Sequence, residues 1–312
     1  MSDKEKTTNY PYLFLILANS IWGLMAPLGK HAMSNGIGGF EMVSLRVLGG
    51  ALSFWIASII MSRNSTAGKT KAAASQANRG MLPPKDLLKL FGAALFAIVF
   101  NQCLYTNGLS LTSPINASLI TTLLPIVTLL LSLIILKERV SWKRAAGVII
   151  GLVGAVILIS SRQQGAGKEG SLLGDLLCVM AQFSFALYLI LFKKVIARYP
   201  VVTCMKWMMT FAALMILPFT FKSLMAVAWT SLTLRVYAET AWVVFGGTFF
   251  AYLFLTKGQK QLAPTVVSMY TNIQPLVSTL ASLALGLGVF GWSQASAALL
   301  VIGGVYIVTH SK

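Results

Sequence analysis

A chain of 312 residues that is 56% hydrophobic and only 11% charged is not an ordinary soluble domain, where about a quarter of residues carry charge. Its net charge of +17 invites a nucleic-acid partner, but the cations are spread between apolar runs, and that distribution excludes nucleic acid. A mean hydropathy of +0.77, with apolar runs near spanning length, predicts an all-α polytopic membrane protein whose surroundings are a lipid bilayer.

In chain order, ten apolar segments predict ten transmembrane helices: 11–30, 40–61, 87–107, 114–136, 145–160, 172–193, 201–221, 239–257, 264–285 and 290–309. The first is flanked by Lys30 and His31 and lacks a small-residue cleavage site, so it reads as a retained helix rather than a signal peptide. With the N-terminus inside, nineteen cations fall on inside segments and five on outside ones, while Arg46 lies within a helix. The positive-inside rule then places both termini in the cytoplasm. A basic cytoplasmic loop, 63–86, follows the second helix, and a glycine-bearing link separates two halves, 1–161 and 172–312. Cys103, Cys178 and Cys204 lie in apolar segments without paired spacing and read as packing residues.

The halves are related. Sliding 100–157 onto 250–307 without a gap matches fifteen residues, among them Thr106/Thr256, Gly108/Gly258, Pro114/Pro264, Ser118/Ser268, Thr121/Thr271, Pro125/Pro275, Trp142/Trp292 and Gly154/Gly304. Earlier in each half, Ala18-Asn19 followed by Lys30 corresponds to Ala181-Gln182 followed by Lys193, at an offset of 163. Five helices per half is an odd number, so the copies are expected in opposite orientation, an arrangement characteristic of secondary transporters. Trp142 and Trp292 would then anchor at opposite membrane faces.

Pro125 and Pro275 fall near the middle of the fourth and ninth helices. Each lacks the N–H that would bond the carbonyl four residues earlier, that of Thr121 or Thr271, so each is expected to act as a hinge. Around them Ser118, Thr121, Thr122, Thr128 and Ser132, and Ser268, Thr271, Asn272, Ser278 and Ser282, form polar stripes that suit a wet cavity or close helix packing. Asn19, Asn101, Gln102, Tyr105, Gln182, Tyr188 and Tyr252 are further embedded polar groups; each alone reads as a bond between helices before a solute contact, while together they could surround one small polar solute. We expect the solute among Asn19, Trp22, Gln102, Tyr105 and Thr121 from the first half, and Gln182, Tyr252, Thr271, Asn272 and Gln274 from the second. Arg46 and Lys206 either snorkel to an interface or attract an anionic group such as a carboxylate.

Acidic residues are absent from helix centres: Glu41, Glu138, Asp175 and Glu239 all sit near ends. No proton relay is therefore apparent, and facilitated movement stands beside proton coupling. His31 and His310 offer no metal site, and no phosphate loop or nucleophile motif occurs, which argues against an enzyme. Gly147-x-x-x-Gly151 is a helix-packing motif that suits a homodimer.

The opening Asn19-Ser20-Ile21-Trp22-Gly23, Arg46, the run Tyr105 to Pro125, Leu136-Lys137-Glu138-Arg139, Trp142, Gly147, Gly151 and Gly154 resemble the EamA-type carriers of the drug/metabolite transporter superfamily. The resemblance covers nearly the whole chain. It implies two inverted five-helix repeats around a central cavity, no cofactor, and a bacterial inner-membrane location, in a family that exports amino acids and other metabolites or moves drugs. The chain departs from the pattern after the ninth helix, where Gly288 stands in place of the family's glutamate. These readings converge on an exporter of small amphipathic metabolites working by alternating access, with a proton-coupled drug or nucleotide-sugar carrier as the nearer alternative. A non-transporting receptor or scaffold would need a soluble domain or long tails that this sequence lacks.

Overall fold

The computed structural model describes residues 10–64, 82–136, 142–160, 171–287 and 291–310, and every regular element among them is a helix. Seven of the described helices are long and apolar enough to cross a membrane: Tyr10–Ser34, Gly39–Ser62, Pro84–Leu111, Pro114–Ile135, Leu172–Leu191, Val201–Met225 and Leu234–Gln259. Trp142–Ser160, the pair Pro264–Met269 with Ile273–Ala284, and Trp292–His310 occupy the expected fifth, ninth and tenth places. The protein is thus a polytopic membrane protein, and its helices take the ordinals first to tenth in chain order. Leu52, Ile56, Ile134, Phe219 and Leu280 point outward, as a lipid-facing surface requires. Trp142 and Trp292 are exposed at the starts of their helices. Glu138, Arg139, Gly288 and most of the basic loop lie outside the described residues.

Two helices begin earlier than their apolar runs predict. The third starts at Pro84, whose missing N–H costs nothing in a first turn, and the eighth starts at Leu234 because the Thr233 side chain accepts from the Val236 N–H. These are polar opening turns, invisible to a hydropathy window.

Inside the bundle the helices are irregular at matching places. The third helix widens into a π segment at Leu95–Phe100 and the eighth at Trp242–Phe250, and the two end on the equivalent residues Phe100 and Phe250. The fourth helix breaks at turn residues Thr122 and Leu123, just before Pro125, and the ninth passes through a 3-10 turn, Tyr270–Asn272, just before Pro275. Each of the two prolines thus follows an interruption of its helix.

Contact registers give the relative direction of the broken helices. Thr271 Oγ1 approaches the Thr121 carbonyl at 3.3 Å, and Ser278 Oγ donates to the Pro114 carbonyl at 3.2 Å. Moving seven residues forward in the ninth helix moves the partner seven residues back in the fourth, so the two run antiparallel. Close approaches are exchanged in the same way. A Cβ on Gly108 would lie 2.7 Å from both the Gly174 carbonyl and Cys178 Sγ, while one on the equivalent Gly258 would meet Leu15 at 2.6 Å and the Pro11 carbonyl at 3.0 Å. Pro11 and Leu15 are the counterparts of Gly174 and Cys178 at the offset of 163 noted above, so each third-position helix packs on the opening helix of the other half. At the fifth and tenth helices, a Cβ on Gly304 would stand 2.5 Å from the Gly147 carbonyl and 2.7 Å from the Gly151 nitrogen. The glycine motif thereby packs against Gly304 within the chain.

Candidate functional site

Between the two halves lies a small, partly open cavity. All the site residues expected from sequence line it except Asn19 and Asn272. Its walls follow helical spacing: Trp22 with Met25, Gln102 with Tyr105, Thr121 with Leu124, Gln182 with Phe185, and Thr271 with Gln274 each stand three residues apart. Residues i and i+3 share one helix face, so a single narrow stripe of each helix reaches the cavity. Arg46, Asn101 and Tyr252 complete the lining. Equivalent residues recur across it: Thr121 with Thr271, Gln102 with Tyr252, and Trp22 with Phe185.

The π segments position the aromatic walls. A π turn leaves carbonyls without their usual helical donors, and these are met from outside the helix. Trp22 Nε1 donates to the Gly247 carbonyl at 2.8 Å, and the Tyr252 hydroxyl donates to the Ala97 carbonyl at 3.0 Å. Ala97 and Gly247 are repeat equivalents, so each copy holds one cavity ring supplied by the other. Phe96, beside Ala97, receives Ser184 Oγ at 2.6 Å. The rings meet edge to face, Trp22 with Tyr252 at 5.3 Å and with Phe185 at 6.1 Å between centroids.

Hydrogen bonds also fix the amides. The Tyr252 proton is committed to Ala97, so its oxygen accepts from Gln102 Nε2 at 3.2 Å, and Gln102 Oε1 is left buried without a partner. Asn19 donates through Nδ2 to the Leu15 carbonyl and accepts at Oδ1 from Gln274 Nε2, each at 2.8 Å. Asn19 thus stands behind the wall and orients Gln274 rather than facing the cavity. Asn272, in the 3-10 turn, is rotated off the lining with a buried, unpartnered Oδ1. Thr121 and Thr271 both donate to carbonyls three residues earlier, Ser118 and Ser268, at 2.6 Å.

Most of the serine and threonine stripe is packing. Ser118 and Thr122 bond their own helix, Ser278 bonds Pro114, and Thr128, Ser132 and Ser282 are buried away from the cavity, because the antiparallel crossing consumes that face. Lys206 is also structural: its Nζ donates to Ser58 Oγ at 3.1 Å and sits 4.6 Å over the Trp55 ring, without reaching the cavity. Sequence reasoning missed Met25, Leu124 and Phe185, and left Asn101 outside the site. Spacing from Trp22, Thr121 and Gln182 held the signal for the first three.

Polar fastenings close the bundle's ends. At one, His31 Nδ1 lies 2.6 Å from Glu239, which also receives Arg235 Nε at 2.9 Å, while Lys30 donates to the Ser110 carbonyl at 2.8 Å. At the other, Asp86 accepts from the Tyr199 hydroxyl at 2.5 Å, Arg198 at 2.9 Å and Lys89 at 3.3 Å, and Lys260 donates to the Tyr199 carbonyl. Burial and then the bond to Asp86 raise the Tyr199 hydroxyl above the usual tyrosine value, so it remains a donor.

The family model described as "EamA-like transporter family" matches residues 9–160 and 172–310. The chain is similar to an uncharacterised transporter, YyaM, of Bacillus subtilis (strain 168), at 25% identity over 70% of this chain and 72% of that protein. It is similar to an S-adenosylmethionine uptake transporter of Rickettsia bellii (strain RML369-C), at 26% identity over 62% of each. A WAT1-related protein of Arabidopsis thaliana is 21% identical over 97% of this chain and 84% of its own length. A solved crystal structure shares the fold with a TM-score of 0.65 at 18% identity, covering 97% of each chain.

Proposed function

We propose that this chain, which belongs to the EamA-like transporter family of the drug/metabolite superfamily, is an exporter of small amphipathic metabolites, with amino acids as its first candidates. In this reading ten helices form two inverted five-helix repeats in a bacterial inner membrane, with both termini in the cytoplasm. The observation that carries it is the cavity lined by equivalent residues of both halves, flanked by helices that run antiparallel and break just before Pro125 and Pro275. A site on such a pseudo-two-fold can open to either side by rocking one half against the other. The His31–Glu239 and Asp86–Arg198 fastenings would then serve as periplasmic and cytoplasmic latches. S-adenosylmethionine, named for one relative, is itself an amino-acid derivative, which supports a solute of this size and polarity.

Among the described residues no carboxylate or histidine lines the cavity. Flux of a transported solute in proteoliposomes is therefore expected to follow its own gradient and to change less than about twofold when a one-unit pH gradient is imposed, with no proton-binding group at the site to couple the two. A flux driven uphill by the pH gradient would favour the proton-coupled carrier instead.

A further inference from the structure

Arg46 is 3% exposed, lines the cavity, and is bonded only to neutral hydroxyls: its Nε to Thr248 Oγ1 at 3.0 Å and its Nη1 to Thr106 Oγ1 at 3.4 Å. Thr248 gives its own proton to the Val243 carbonyl at 3.2 Å, a bond spanning five residues of the π turn, so a lone pair faces the guanidinium. These contacts aim Arg46 without neutralising it. Among the described residues its guanidinium has no carboxylate within 4.0 Å. Glu239 and Asp86 are engaged at the bundle's ends, and Asp175 accepts from Thr112 at 2.6 Å. Glu41 lies on the same helix but well over one turn away. An arginine holds its charge at every physiological pH, and a buried charge normally has a partner.

The remaining lining supplies no anion. It offers the faces and edges of Trp22, Tyr252 and Phe185, and amides whose orientation is already fixed. The cavity therefore presents one cation and several apolar walls, and is electrically balanced only when something negative occupies it.

We propose that Arg46 is an anion subsite and that the solute carries a carboxylate which it receives through its free N–H groups, the solute's apolar body lying against Trp22 and Phe185. This rests on the transport reading above and specifies the chemical class of solute. Snorkelling, the other role open to this residue from sequence, does not describe a side chain turned into the cavity and held there by two threonines.

The test uses matched probes on the purified full chain: 3-phenylpropionate against 3-phenylpropanamide, and phenylalanine against phenylalaninamide, scored by thermal stabilisation and by flux in proteoliposomes. Each acid is expected to bind on the order of 30-fold more tightly than its amide, the scale lost when one partner of a buried charge pair is removed. Arg46→Gln is expected to bring acid and amide to within about threefold of each other while still melting cooperatively, since one neutral hydrogen bond is worth far less. If that variant does not fold, the wild-type comparison decides alone. Transport with equal affinity for acids and amides would overturn the subsite and leave the transporter standing. Protection by sodium chloride alone, matching that by the acids, would assign Arg46 to an inorganic anion and also overturn the proposal. Failure of the protein to move any of a broad panel of small metabolites would sink the transport reading itself.

Discussion

Tyr252→Phe is expected to destabilise the protein by about 2 kcal/mol or somewhat more, as two buried groups lose their partners at about 1–3 kcal/mol each and the cavity readmits water to offset part of that. Tyr252 is 2% exposed, and its hydroxyl serves as acceptor for Gln102 and donor to the Ala97 carbonyl. Its loss leaves Ala97 in a π segment with a carbonyl unsatisfied, and frees the Gln102 amide to rotate within the site. Transport should fall on the order of tenfold, because a rotated amide re-presents the site to the solute. Tyr237→Phe is the matched control. Tyr237 is 42% exposed and donates to the Trp229 carbonyl at 2.6 Å, where water can replace it, so the change should stay within about 0.5 kcal/mol. Thermal unfolding of the two variants in one detergent, with initial rates from proteoliposomes, separates these cases. Equal destabilisation by both would show that the π-segment contact carries no special weight.

The paired substitution Pro125→Ala with Pro275→Ala should have the opposite signature. Each proline stands in the first turn after a break, the second residue of Leu124–Leu136 and the third of Ile273–Ala284, where its missing N–H costs little, so the melting temperature is expected to hold. The breaks are already set by bonds across three residues, from Thr122 to Leu119 at 3.1 Å and from Leu123 to Ile120 at 3.0 Å. An alanine at 125 would draw the Thr121 carbonyl back into the helix and away from Thr271, joining the half-helices into stiffer rods. Flux should drop at least about tenfold with stability intact, the pattern expected when a rigidified element limits turnover. Unchanged flux would show that the kinks are static packing features.

Periodicity and repetition made the membrane class and most of the cavity wall legible, because both leave local traces. Gln102, Tyr105 and Gln182 could be picked out as polar residues within apolar runs, and Thr121 and Thr271 as the residues whose carbonyls the prolines release. What remained hidden depends on contacts between helices. Nothing in Leu95–Phe100 announces a π turn: it contains neither proline nor glycine, and its carbonyls are satisfied by Ser184 and Tyr252 from the other half. The hydroxyl stripes were ambiguous for the same reason, since only the antiparallel crossing turns Ser278 toward Pro114 and away from the solute. Gly147 and Gly151 signalled close packing correctly, but a motif does not name its partner, and Gly304 supplies it within the chain. Asn272 shows the limit of helical spacing, which fails across a 3-10 turn.

Cysteine accessibility at one cavity residue tests the alternating chamber most directly. Gln182→Cys, placed in a background without Cys103, Cys178 and Cys204 and reconstituted in one orientation, would be exposed to a membrane-impermeant thiol reagent from either side. Labelling from both sides, slowed by a transported solute, is the predicted result. Labelling from neither side, or from one side only under every solute condition, would contradict it.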